Sequence, residues 1–137
     1  MENEKSIDDL FKDLNDSNWD IRAKAIYLLK DFDNQKVNDA LILKLDDINE
    51  NVWLSAVNVL KDKKDPRIVN KLSKTLLEDK RDEIRWHSAY FLGEIGDASI
   101  VEPIIKSLKD NCVEVRVNAA KALGKIGNKK AIFPTII

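Results

Sequence analysis

Few side chains in this 137-residue chain could do chemistry. His87 is its only histidine and Cys112 its only cysteine. A metal site needs several His, Cys or carboxylate ligands held together, and a nucleophilic thiol needs a base within reach. His87 stands between Trp86 and Ser88, and Cys112 has no histidine near it. His87 therefore reads as a lone helix-surface histidine, and Cys112 as a turn or packing residue without a base to activate it. The glycine pairs Gly93/Gly96 and Gly124/Gly127 recur with the sequence repeat and match neither a Walker loop nor a dinucleotide fingerprint. On these residues the expectation is a chain that is not an enzyme and uses no catalytic residue, metal or cofactor.

The charged and aromatic residues offer recognition instead. Asp16 and Arg22, Asp79 and Arg85, and Asp110 and Arg116 recur at one internal spacing. Such columns suit a ladder of charge-assisted hydrogen bonds between adjacent repeats, a structural role. Trp53 takes the place of the second arginine. An exposed tryptophan is a favoured interface anchor, which makes Trp53 a candidate binding residue, but packing over a neighbouring repeat is the leading reading. Trp86 shares a column with Ala23, Leu54 and Val117, which points to core or inter-repeat packing, and Trp19 falls in a partly exposed turn.

A second polar set comprises Lys36, Asp39 and Lys44, then Arg67, Asn70, Lys71 and Lys74, then Glu102 and Lys106. With Lys61, Lys63 and Lys64 just before it, the middle of this set is locally basic. An acidic protein or peptide segment is its natural partner, and a solvated helix face the alternative.

Repeated elements must position these residues. Segments beginning at Asp16, Asp47, Asp79 and Asp110 align at intervals of about 31 residues, the signature of a helical repeat array. Branched residues follow in register at Ile21, Val52, Ile84 and Val115. Small ones stand at Ala25, Ala56, Ser88 and Ala119, and then Leu29, Leu60, Leu92 and Leu123. The apolar residues Ile21, Ala25, Leu28 and Leu29 show the stripe of an amphipathic helix. The preceding Asp is placed to cap free N–H groups, and the glycine pairs to end the helix. A second helix begins at the column Val37, Ile68, Ile100 and Ala131 and carries Leu45, Leu76 and Leu108. The expectation is one domain, 1–137, with a capping half-repeat at 6–14 and repeats at about 16–45, 47–76, 79–108 and 110–137. The apolar end, Ile132 to Ile137, predicts either a homodimer contact or a chain trimmed from a longer protein.

Composition narrows the partners. Lys and Arg total 23 against 24 Asp and Glu, a formal net charge of −1. A protein that coats DNA normally has a basic excess, so the expected partner is not nucleic acid, though the Lys61–Lys74 stripe keeps it as the alternative. There is no apolar stretch behind the N-terminus and no run long enough to span a membrane. With a single cysteine, these features suggest the cytoplasm.

The pattern Asp-(x4)-Val/Ile-Arg-x-x-Ala-x-x-x-Leu-Gly-x-Ile-Gly-Asp/Asn resembles the HEAT-like repeats of the phycobilisome-lyase type. It runs through Asp79, Ile84, Arg85, Ser88, Leu92, Gly93, Ile95, Gly96 and Asp97, and again through Asp110, Val115, Arg116, Ala119, Leu123, Gly124, Ile126, Gly127 and Asn128. Repeats one and two depart from it, with Lys30 and Lys61 at the first glycine and Trp53 at the arginine. The resemblance implies an all-α, right-handed α-α superhelix of about four helix pairs whose second helices line a concave binding face. Similar repeats serve lyase subunits, hydroxylases and scaffolds. A HEAT-like di-iron hydroxylase carries repeated His-Glu pairs, and this chain has none. The leading expectation is thus a non-catalytic protein-interaction module or scaffold, with a bilin-lyase-type chromophore-handling protein as a further alternative.

Overall fold

The computed structural model describes residues 5–63 and 65–130, the last three by their backbone alone. Among the described residues there are eight α-helices and no strand. They are α1 (Ile7–Asp13), α2 (Trp19–Leu28), α3 (Gln35–Leu43), α4 (Glu50–Leu60), α5 (Pro66–Glu78), α6 (Asp82–Ile95), α7 (Val101–Ser107) and α8 (Val113–Lys130). Short 3-10 turns occur at Lys44–Asp46 and Ala98–Ile100. Ala131 and the apolar segment expected to dimerise lie outside the described residues, as does Lys64. No described helix is long and apolar enough to cross a membrane.

The helix starts show how the repeated Asp works. Its carboxylate accepts from the backbone N–H two residues on: Asp16 from Asn18 at 2.8 Å, Asp47 from Asn49, Asp79 from Arg81 and Asp110 from Cys112, each at 2.9 Å. That bond closes an Asx turn. In repeats one and two the helix cap itself is the asparagine two residues on. Asn18 accepts from the Asp20 N–H at 2.9 Å, and Asn49 from the N–H groups of Asn51 and Val52 at 2.8 and 3.3 Å. In repeats one and two the expected Asp cap is therefore displaced by two residues, because Asp shapes the turn and Asn satisfies the first helical donors, whereas in repeat three Arg81 takes the cap position without a side-chain cap hydrogen bond.

The chain forms two compact units, Met1–Asp65 and Pro66–Ile137. In the first, α2 packs against α1 and α4, and α3 against α4. Leu10, Leu14, Ile26, Leu29, Val37, Leu41, Val52 and Leu60 are buried there. In the second, α6 packs against α5 and α8, and α7 against α5 and α8. Its buried side chains include Ile68, Leu72, Leu76, Ile84, Leu92, Ile104, Val115 and Ile126. Full burial of each such side chain contributes roughly 1.5–3 kcal/mol.

Only one of the four glycines ends a helix. Gly96 has φ 73°, and its N–H donates to the Leu92 carbonyl at 3.0 Å. Gly93 lies inside α6, and α8 runs through Gly124 and Gly127 without stopping. The expected stop at the second pair is thus absent. Glycine permits a left-handed turn without imposing one, and a helix tolerates it at a cost of about 1 kcal/mol.

Gly93 is there for a different reason. A Cβ at this position would lie 2.9 Å from both Cα and Cβ of Ala122, so α6 and α8 approach closely only because the side chain is missing. Gly93→Ala is expected to destabilise the protein by about 1–3 kcal/mol. Gly124→Ala, which meets nothing within 4 Å, should stabilise it by about 0.5–1 kcal/mol. Urea unfolding of the two variants checks the contrast, and equal midpoints would mean a looser α6–α8 contact.

Candidate functional site

The arginine column is a set of staples. Arg22 Nε and Nη2 donate to the two oxygens of Asp47 at 2.9 and 3.0 Å, while Nη1 donates to the Asp16 carbonyl at 2.9 Å. Arg85 repeats the arrangement. Its Nε and Nη2 reach Asp110 at 2.9 and 3.1 Å, and its Nη1 reaches the Asp79 carbonyl at 2.8 Å. Each guanidinium therefore ties its own turn to the carboxylate that opens the next repeat. Asp16 and Asp79 meet their repeat's arginine through main-chain oxygen only. Arg116 Nη1 donates to the Asp110 carbonyl at 2.7 Å. Asp47, left out of the expected ladder, is a full member, and its place in the Asp column was the available signal.

Repeat two solves the missing arginine differently. Arg81 supplies Nε and Nη2 to Asp79 at 2.9 and 3.0 Å. Trp53, in the arginine's place, is completely buried. Burial removes Trp53 from the candidate binding residues, since a side chain with no exposure touches no partner on the folded surface.

Electrostatics follow from this geometry. Burial alone would push the Asp47 carboxyl up, but the Arg22 hydrogen bonds, the Asn49 N–H and the charges of Arg22 and Lys44 hold it below the usual carboxylate range. Asp110 has the same balance, with Arg85 and the Cys112 N–H outweighing burial. Hydrogen bonds from the Arg81 side chain hold Asp79 low.

The second polar set divides. Lys44 is a structural cation: its Nζ donates to the Leu14 carbonyl and to Asn15 Oδ1, and partial burial lowers its pKa. It is removed from the recognition face for that reason. Lys36 lies 5.1 Å from the Phe11 ring centroid, and Asp39 accepts from Gln35 at 2.9 Å. In the second unit, α5 buries Ile68, Val69, Leu72 and Leu76 and turns Arg67, Asn70 and Lys74 outward, with Lys71 half-buried. On α7, which packs against α5, Glu102 and Lys106 are exposed.

His87 Nδ1 lies 2.7 Å from the Glu83 carbonyl, and its ring stacks on Trp86 at 3.8 Å. Trp86 is half-buried and Val117 exposed, so their column follows the surface of the first helices instead of the core. Trp19 is exposed. Cys112 Sγ donates to Glu114 Oε1 at 3.3 Å. Among the described residues no group of three or more His, Cys, Asp or Glu could hold a metal ion.

The family profile of HEAT repeats matches residues 7–90 and again 69–133. The chain belongs to the HEAT-repeat family. That match does not distinguish the phycobilisome-lyase type. No curated protein matches this HEAT-repeat chain. Among solved structures it is similar to human deoxyhypusine hydroxylase in complex with glycerol, at 19% sequence identity and a TM-score of 0.74. The likeness covers 92% of this chain and 45% of that one. The chain thus spans less than half the length of the structure it matches, and what the two share is the fold. This finding corrects the expectation that the protein is not an enzyme, because a HEAT-repeat chain of the same fold is one. Missing catalytic motifs do not exclude enzymatic function here.

Proposed function

We propose that this HEAT-repeat protein is a protein-interaction scaffold that binds an acidic peptide or helix along α5 and α7. HEAT repeats suggest an interaction scaffold in general, and the basic face of α5 supports this particular mode. Arg67, Lys71 and Lys74 are spaced so that one side of the helix offers three cations beside Asn70, opposite the buried Ile68, Leu72 and Leu76. On α7, Glu102 and Lys106 add one charge of each sign, which gives the face a pattern as well as a net charge. Complementary charge of this kind speeds encounter and fixes register.

Affinity capture from native lysate, with Arg67, Lys71 and Lys74 changed together to Glu in a parallel bait, tests the proposal. A protein retained by the wild type and depleted at least about tenfold by the variant is expected, the effect of losing about 1.4 kcal/mol. Identical captures by the two baits would remove the α5 face from consideration. Duplex DNA added as competitor should leave the captured protein in place, whereas displacement that weakens steeply with salt would point to nucleic acid.

A further inference from the structure

A groove of about 290 Å³ lies between α6 and α8 and shares no lining residue with the α5 face. Ala89, Gly93 and Ala122 line it with little side-chain bulk, and Tyr90, Asn118, Lys121 and Lys125 complete it. Tyr90 is 44% exposed, so an occupant has aromatic surface to cover. Lys125 is already committed, hydrogen-bonded to Glu94 with its Nζ 5.5 Å from the Tyr90 ring centroid. Asn118 donates its amide to the Glu114 carbonyl at 2.9 Å. Lys121 is exposed and makes no ion pair with any described residue.

We propose that this groove is a second recognition site, which takes a short apolar segment of a partner protein bearing a carboxylate for Lys121. The size suits one or two side chains, at the lower end of the range for small binding pockets of ~300–1,000 Å³. An apolar side chain fills the space over Gly93 and Ala122 against the Tyr90 ring, and the carboxylate meets the uncommitted cation. A second copy of the same groove is a poor occupant, because isologous pairing would set lysines against lysines. One uncommitted cation over an apolar floor is equally a poor match for a phosphate backbone, which is held by many. The site uses helices other than those of the α5 face and stands independently of it.

Nuclear magnetic resonance of the full chain, ¹⁵N-labelled, tests the site with an acetylated, amidated octapeptide of leucine, phenylalanine and glutamate. The amides of Tyr90, Gly93 and Ala122 should shift and saturate with a Kd of about 100 μM. A glutamine-for-glutamate peptide should bind at least about tenfold more weakly, and Lys121→Glu should have the same effect while Lys121→Arg preserves binding. Changing Arg67 and Lys71 to Glu should leave these shifts intact. Shifts confined to α5 and α7 would overturn the site and leave the α5 proposal standing. Unaltered affinity in Lys121→Glu would overturn it, as would concentration-dependent shifts at the groove without peptide. So would no shift at these amides up to about 1 mM, since binding that weak supplies only about 4 kcal/mol.

Discussion

Leu92→Asp should unfold the second unit. Leu92 is completely buried in α6, the helix that packs against both α5 and α8. A carboxylate buried there must either stay charged away from water or take up a proton at a cost. The leucine's own packing is lost as well. The sum exceeds about 4 kcal/mol, a large part of the 5–15 kcal/mol that stabilises a typical domain. Circular dichroism should show lost helicity, and hydrogen exchange should quicken along α5, α6 and α8. Val117→Asp, at an exposed position on α8, should change stability by no more than about 0.5–1 kcal/mol. Wild-type melting of Leu92→Asp would mean that the register of the repeats is wrong.

The second large effect belongs to Arg85. Its truncation to alanine strips Asp110 of a bidentate partner and leaves the Asp79 carbonyl without its donor. Side-chain exposures of 10% and 13% place the ion pair well inside the range where breaking one half is costly, at about 3 kcal/mol. For a protein of this size that lowers Tm by roughly 10 °C. Arg116→Ala, which removes one hydrogen bond at an exposed residue, should cost less than about 1.5 kcal/mol. Differential scanning calorimetry of both variants separates a staple from a surface arginine.

The same pair sets the sign of the acid dependence. The folded-state carboxyls of Asp47 and Asp110 are held below their unfolded values. Their stabilisation is therefore complete above the unfolded carboxylate pKa of about 3.9 and is lost as pH falls through the folded values. Melting curves of wild type and Asp110→Asn should differ most at neutral pH and converge as the pH falls below the unfolded carboxylate value.

The spacing of apolar residues carried the helix register. Ala25, Leu29, Val52, Leu60, Ile84, Leu92, Val115 and Ala119 are all buried, as a 3.6-residue period with a fixed repeat requires. What the pattern leaves open is depth and partner. Trp53 and Trp86 each stand in a clear column, yet the first is fully buried and the second half-exposed. A column fixes a side of the helix, while neighbouring side-chain volumes decide how far that side is covered. Lys44 has the composition of a surface lysine, and only a contact with Leu14, 30 residues away, makes it structural. Asp and Asn both cap helices well, so two such residues spaced by two leave the cap ambiguous until the backbone is seen. The groove beside Tyr90 arises where two helices meet and has no motif of its own.

Hydrogen–deuterium exchange of the purified protein, alone and with the partner recovered by wild type and lost from the α5 variant, tests the central proposal most directly. The expected result is slower exchange concentrated in α5 (Pro66–Glu78) and α7 (Val101–Ser107), and abolished by the three charge reversals. Protection that leaves α5 and α7 unchanged and appears elsewhere would contradict it.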